Sequence, residues 1–242
     1  MKQITSLQHP LVHYWKELKQ KSSFRREQKR LLLEGRNAIQ DVCKKFPAKR
    51  LIITNPAFEN EVPAEETILV SEQILKKISS VETNGGILVE LEAPELIQLQ
   101  GRKIVVCDRI QDPGNLGTLI RSCLAFGWDS CALLPGCVDP FNDKVLRASK
   151  GAVFFLPLCQ TTWSSIEQYC KEHGIALIVA VTKGKTPELF VKEQPKALVL
   201  GNEAHWASPP DAFAHEKVAI CMPGPVESLN VAVAGSILLY LL

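Results

Sequence analysis

The feature that most constrains the fold is a regular alternation from residue 103 onward. Six apolar runs, at 104–107, 131–134, 153–156, 176–181, 197–200 and 218–221, are separated by helix-like stretches at 116–126, 143–149 and 164–173 and followed by one at 228–242. Runs that are apolar throughout suit strands covered on both faces, so the pattern predicts a parallel α/β sheet. Ligands of such sheets bind beyond the carboxyl ends of the strands, which makes the loops after them the places to look for chemistry.

Ahead of this domain, residues 1–95 read as a smaller α/β module. A turn or short strand followed by a helix covers 25–45; strands are expected at 50–54, 68–70 and 87–91, with a short helix at 72–79 and a linker at 96–102. The net charge of the 242 residues is only +2, which by itself argues against a polyanionic partner. Position changes that reading, because residues 1–50 hold 13 Lys or Arg against 4 Asp or Glu, and residues 51–242 hold 15 against 22. A basic head precedes a mildly acidic body.

The first residues lack a signal-peptide core, and no apolar run is long enough to span a bilayer, so a soluble, cytoplasmic protein is expected. The eight cysteines form no Cys-x-x-Cys pair and sit mostly in apolar runs, which predicts buried, reduced thiols and no metal site.

Three loops have unusual composition. The first, 108–121, contains Pro113, Gly114 and Asn115, which suit a turn and helix cap, but also Arg121 among Leu119, Ile120, Cys123 and Leu124. A guanidinium in that setting must find anionic partners or face water. The second is Gly201, Asn202 and Glu203 after the 197–200 run; the glycine permits close backbone approach by a ligand, while Glu203 also suits a cap. The third, 220–230, places Pro223, Gly224 and Pro225 before Glu227, Ser228 and Asn230, where a nearly apolar helix begins. Ser228 suits an N-cap, and such a helix start also offers unpaired amides to a ligand. No dinucleotide fingerprint, P-loop or nucleophile elbow is present.

In order and spacing these loops resemble the three motifs of the SpoU, or TrmH-type, family of RNA 2′-O-ribose methyltransferases. Asn115, Gly117 and Arg121 match the first motif, Gly201, Asn202 and Glu203 the second, and Met222, Gly224, Ser228, Leu229, Asn230 and Val231 the third. Leu33, Glu34, Gly35 and the strand entry at 85–89 resemble the L30e-like RNA-binding module that precedes the catalytic domain in several members. Two departures stand out: Ala204 follows the second-motif Glu where glycine is usual, and Ile220-Cys221-Met222-Pro223 replaces Ile-Pro-Met. The resemblance implies a trefoil-knotted parallel sheet of the SPOUT type over 103–242, a homodimer, and S-adenosylmethionine bound through Gly201, Ile220 and Leu229, with Thr182 and Met222 close by. It further implies that Arg121 contacts the target nucleotide and stabilises its developing alkoxide, with Asn115, Glu203, Ser228 and Asn230 fixing the nucleotide and the arginine. The basic head, through Lys16, Lys19, Lys21, Arg25, Arg26, Lys29 and Arg30, is then expected to neutralise RNA phosphates. Members with the L30e-like module act more often on large-subunit ribosomal RNA than on tRNA. A non-catalytic RNA-binding protein of the same fold and an α/β enzyme with another cofactor are the competing readings.

Overall fold

The computed structural model describes residues 1–80, 85–201 and 215–242, and the chain forms two compact units: 1–94 with 141–154, and 95–140 with 155–242.

The first unit is built on a five-stranded sheet. Its elements from the N-terminus are β1 (Lys2–Ile4), α1 (Pro10–Gln20), α2 (Ser22–Gln28), β2 (Arg30–Glu34), α3 (Arg36–Cys43), β3 (Ala48–Ile53), β4 (Ala64–Val70), α4 (Glu72–Ile78) and β5 (Ile87–Glu92). The strand order is β1-β4-β3-β5-β2, parallel across β1, β4 and β3 and antiparallel where β5 pairs with β3 and β2. The reading from sequence contains no β1 or α1, although Val12, Trp15 and Leu18 repeat every three residues on the buried face of that helix. Trp15 and Tyr14 also reach the fully buried Glu90. The indole Nε1 donates at 3.0 Å, the Tyr14 hydroxyl at 3.2 Å, and Arg50 Nη1 at 2.8 and 2.9 Å, so the carboxylate is both hydrogen-bonded and neutralised. Burial and the neighbouring Glu90 push the Tyr14 hydroxyl up to about 12, keeping it a donor.

The second unit is a six-stranded, wholly parallel sheet, as the apolar runs require. Here β6 (Lys103–Asp108) leads into α5 (Pro113–Ala125) and β7 (Ser130–Leu133); after α6 (Asp143–Ser149), which packs in the first unit, come β8 (Leu158–Gln160), α7 (Trp163–His173), β9 (Ala176–Lys185), β10 (Lys196–Gly201), β11 (Glu216–Val218) and α8 (Val231–Leu241). The order is β11-β9-β10-β6-β7-β8. The last helix returns from the β11 edge to pack against α5 and β10. That return needs a close approach: a Cβ on Gly235 would lie 2.7 Å from Leu200 Cδ1 and closer still to Leu119.

Two expectations need correcting. The run at 153–156 is not a strand: residues 152–154 form a 3₁₀ turn within the first unit, Phe154 meets Phe46 with ring centroids 5.8 Å apart, and the strand follows at β8. One apolar run is thus divided between two cores, which hydrophobicity alone does not distinguish. The final strand also lies earlier than 218–221, at β11.

Residues 141–154 are held in the first unit by a compact ionic cluster. Lys19 Nζ lies 2.9 Å from Glu34 Oε1 and pairs with Asp143; Arg147 Nη1 donates to Glu34 at 2.9 Å and to Asp143; Ser79 donates to the other Glu34 oxygen at 2.8 Å. Burial alone raises the Asp143 carboxyl pKa, but Lys19 and Arg147 outweigh it and hold it below the ordinary value. A depressed folded-state pKa stabilises above the unfolded value of about 4, and the contribution is lost as pH falls through the folded-state value. Urea unfolding below pH 4 is therefore expected to show a stability loss that Asp143→Asn removes, since the variant has no carboxylate there to protonate.

Candidate active site

The carboxyl ends of β9 and β10, the 219–230 loop and one face of α8 enclose about 660 Å³ of space, part of it open to solvent. Its wall contains Ala180, Val181 and Leu200 from the sheet and Val231, Ala234 and Leu238 from α8. All five residues expected at the cofactor, Gly201, Ile220, Leu229, Thr182 and Met222, line this one cavity, and Ser228 joins them. The cavity suits S-adenosylmethionine: an aliphatic slot fits a purine, and Thr182 and Ser228 add hydroxyls. Among the described residues, the main chains of Ile220 and Leu229 bond to no other backbone group, leaving them available to a ligand. The α8 wall was missed in sequence; Ala234 and Gly235 on an otherwise bulky helix were its signal.

The first and third motif loops meet through their asparagines. Asn230 caps α8, its Oδ1 accepting from the amides of Ala232 at 2.9 Å and Val233 at 3.4 Å, while its Nδ2 donates to Asn115 Oδ1 at 3.1 Å. The two caps differ from the sequence reading. Asp112, not Asn115, caps α5, accepting from the Asn115 amide at 2.8 Å, and Asn230, not Ser228, caps α8. Both shifts leave side chains that capping would have occupied facing the site.

Arg121 is exposed on α5, and among the described residues no side chain pairs with it. Of the two options open to a guanidinium on an apolar helix, it takes water, where an anionic ligand has access. Asn202, Glu203 and Ala204 lie outside the described residues.

The basic head divides in two. Arg25 is 4% exposed and Nη1 donates to the carbonyls of Leu18 at 2.8 Å and Lys19 at 3.1 Å, closing the end of α1; the Lys19 side chain is buried between Glu34 and Asp143. Both are occupied internally, so the expectation that they meet phosphates is corrected. Lys21 pairs with Glu17 and Arg30 with Glu92 at the surface, where such bonds are weak. Lys16, Arg26 and Lys29 carry no ion pair among the described residues.

The cysteines are free thiols and mostly buried, as expected; burial pushes Cys43 and Cys170 up to about 11 and Cys137 to about 12, which keeps them protonated and unreactive. Among the described residues no His, Cys, Asp or Glu group is arranged to hold a metal ion, and no helix is long and apolar enough to cross a membrane.

Residues 102–240 match the SpoU rRNA Methylase family, and residues 9–89 match the MRM3-like substrate binding domain. The chain belongs to the SpoU methylase family. Among similar SpoU proteins, the 23S rRNA (guanosine(2553)-2′-O)-methyltransferase RlmP of Bacillus subtilis is 31% identical over 99% of this chain and 98% of its own length. An uncharacterized tRNA/rRNA methyltransferase of Synechocystis is 32% identical over 98% and 92%. Among solved structures, an AdoMet-bound rRNA methyltransferase from Sinorhizobium meliloti superposes with a TM-score of 0.86 at 25% identity, covering 99% of this chain and 96% of that one. An RNA 2′-O ribose methyltransferase gives 0.83 at 26%, over 99% and 97%. The parallel sheet with α8 returned onto α5 is therefore the SPOUT methyltransferase fold of this family.

Proposed function

We propose that the protein transfers a methyl group from S-adenosylmethionine to the ribose 2′-OH of a nucleotide in large-subunit ribosomal RNA. The observation that carries this is the convergence of Gly201, Ile220, Met222 and Leu229 on one cavity beside the Asn115–Asn230 bond. The near full-length likeness to a 23S rRNA 2′-O-methyltransferase favours ribosomal RNA over tRNA.

Bound S-adenosylmethionine supplies an electrophilic methyl on a sulfonium centre. The protein must seat the 2′ oxygen in line with it and stabilise the negative charge that builds as the hydroxyl proton leaves. Arg121, a permanent cation without a partner among the described residues, is suited to that charge. Asn115 and Asn230, locked to each other and to the start of α8, are suited to fix the nucleotide, with Ser228 at the cavity edge and Glu203 completing the set. Lys16, Lys21, Arg26, Lys29 and Arg30 neutralise phosphates of the bound RNA.

A homodimer is part of the proposal: Leu124, Phe126, Val233 and Tyr240 expose an apolar face on and beside α5 and α8, with the Phe126 and Tyr240 rings 5.5 Å apart. A monomer at all concentrations in sedimentation equilibrium contradicts it. The cytoplasm, where thiols stay reduced, is the proposed compartment.

The test is incubation of unmodified ribosomal RNA and tRNA with methyl-labelled S-adenosylmethionine, followed by mapping of alkali-resistant linkages. Label at one site in 23S RNA is expected; label in tRNA alone, or in no RNA, overturns the proposal.

A further inference from the structure

Helix α8 is apolar along its length except for Ser236 and Tyr240, and a hydroxyl on such a helix is costly unless it is bonded. Ser236 faces α5. Its Oγ lies 2.7 Å from Ser122 Oγ and 2.7 Å from the carbonyl oxygen of Ala232, one turn earlier in its own helix. A carbonyl can only accept, so the single Ser236 proton goes to Ala232, and the Ser122 hydroxyl is the donor between the two helices. The bond therefore has a direction, because the back-bond to Ala232 fixes the Ser236 lone pairs that receive it. A close approach makes it possible: Gly235, beside Ser236, stands where a Cβ would strike Leu119 and Leu200.

On α5, Asn115, Leu119 and Ser122 are spaced i, i+4, i+7 and form one stripe, which meets Asn230, Gly235 and Ser236 in turn. Leu119 against Gly235 is apolar packing, which has no preferred direction. The polar bonds on either side of it, Asn230 to Asn115 and Ser122 to Ser236, supply the direction and fix the rotation of α5 on α8. Arg121 precedes Ser122 by one residue and so leaves the helix about 100° round from that stripe, on its exposed side. A roll of α5 by about 10° carries the end of a side chain about 1 Å, and a misplacement of that size is costly to rate. The other helix of the seam is a wall of the cofactor cavity, through Ala234 and Leu238, and is held in place separately by its packing on β10. The seam thus sets the bearing of the guanidinium relative to the cavity.

We propose that Ser122 and Ser236 are positioning residues for methyl transfer: their hydrogen bond locks the rotation of α5 on α8 and so holds Arg121 at its working bearing to the cofactor cavity. This rests on the RNA-methyltransferase reading and on the role given there to Arg121. The test is single-turnover methylation of an unmodified 23S ribosomal RNA transcript by the full-length protein, with the S-adenosylmethionine Kd and the melting temperature measured beside it. Ser122→Ala is expected to slow methyl transfer about tenfold, to lower the melting temperature by only about 2–4 °C, and to leave the cofactor Kd within about twofold. Ser236→Ala breaks the same bond from the other side, so its loss is expected to match, and the double variant to be no slower than either single one. Ser122→Thr keeps the donor and is expected to recover most of the rate. The deciding readout is the Arg121→Ala background: with no guanidinium to aim, adding Ser122→Ala is expected to cost no further rate. A tenfold loss that repeats in that background, or one matched by a loss of cofactor affinity, overturns the proposal and makes the pair a general brace of the fold. A parent that methylates RNA while Ser122→Ala keeps its rate overturns this proposal alone, and a parent that methylates no RNA overturns the enzymatic reading and this proposal with it.

Discussion

Arg121→Ala is expected to lower the methyl-transfer rate by about 10²–10³, the scale of losing one charge-stabilising group at a reacting oxygen. S-adenosylmethionine affinity is expected to stay within about twofold, because Arg121 is absent from the cavity wall and every cavity residue remains. The fold should not suffer: the guanidinium is exposed and has no partner among the described residues, and surface substitutions of this kind shift stability by about 0.5 kcal/mol or less. Isothermal titration with the cofactor and single-turnover methylation of RNA separate the two readouts. Turnover near that of the parent removes Arg121 from the reaction, and equal losses in turnover and cofactor affinity make its role structural. Arg121→Lys sharpens the result, since a point charge replaces the planar fork; only partial recovery is expected.

The second large effect belongs to Gly235. Any side chain there meets Leu119 and Leu200, and Leu200 is itself a wall of the cofactor cavity. Gly235→Val is expected to destabilise the second unit by about 1–3 kcal/mol through overpacking. Pushing Leu200 also reshapes the slot beneath the ligand, so cofactor affinity is expected to fall at least about tenfold, a difference of about 1.4 kcal/mol. Thermal unfolding with and without S-adenosylmethionine reads both quantities. A variant that retains the parental ligand-induced stabilisation contradicts the coupling between the α8–α5 contact and the cavity.

The parts of this architecture that depend on periodicity were open to reading from sequence, and those that depend on partners were not. The buried strands β6, β9 and β10 announce themselves as apolar runs, whereas the residues around Arg121 left solvent and an anionic ligand equally open, and it was the motif resemblance that singled the arginine out. The cavity residues came from motif resemblance, since nothing in the aliphatic side chains of Ile220 and Leu229 marks them as lining a cavity. Burial of charge was hidden altogether. Arg25 and Lys19 look like their neighbours Arg26 and Lys16 in a basic stretch, and only the carbonyls at the end of α1 and the carboxylates of Glu34 and Asp143, up to 124 residues away, make them internal. The cap of α5 lies three residues before the expected Asn115 and that of α8 two residues after the expected Ser228, because several Asn, Asp and Ser compete for each start and geometry selects among them.

The placement of residues 141–154 has a consequence for how the protein is dissected. By sequence they fall inside the stretch that matches the methylase family, yet α6 and the following turn bury Val145, Leu146, Val153 and Phe154 in the first unit. The structural modules are therefore not contiguous stretches of the gene. A fragment cut at the linker leaves the N-terminal half without one of its core-forming pieces and sends the C-terminal half out with an orphaned greasy flap. Halves made for separate study, or exchanged with a relative to graft a new RNA preference, will behave as intact domains only if this excursion travels with the N-terminal half.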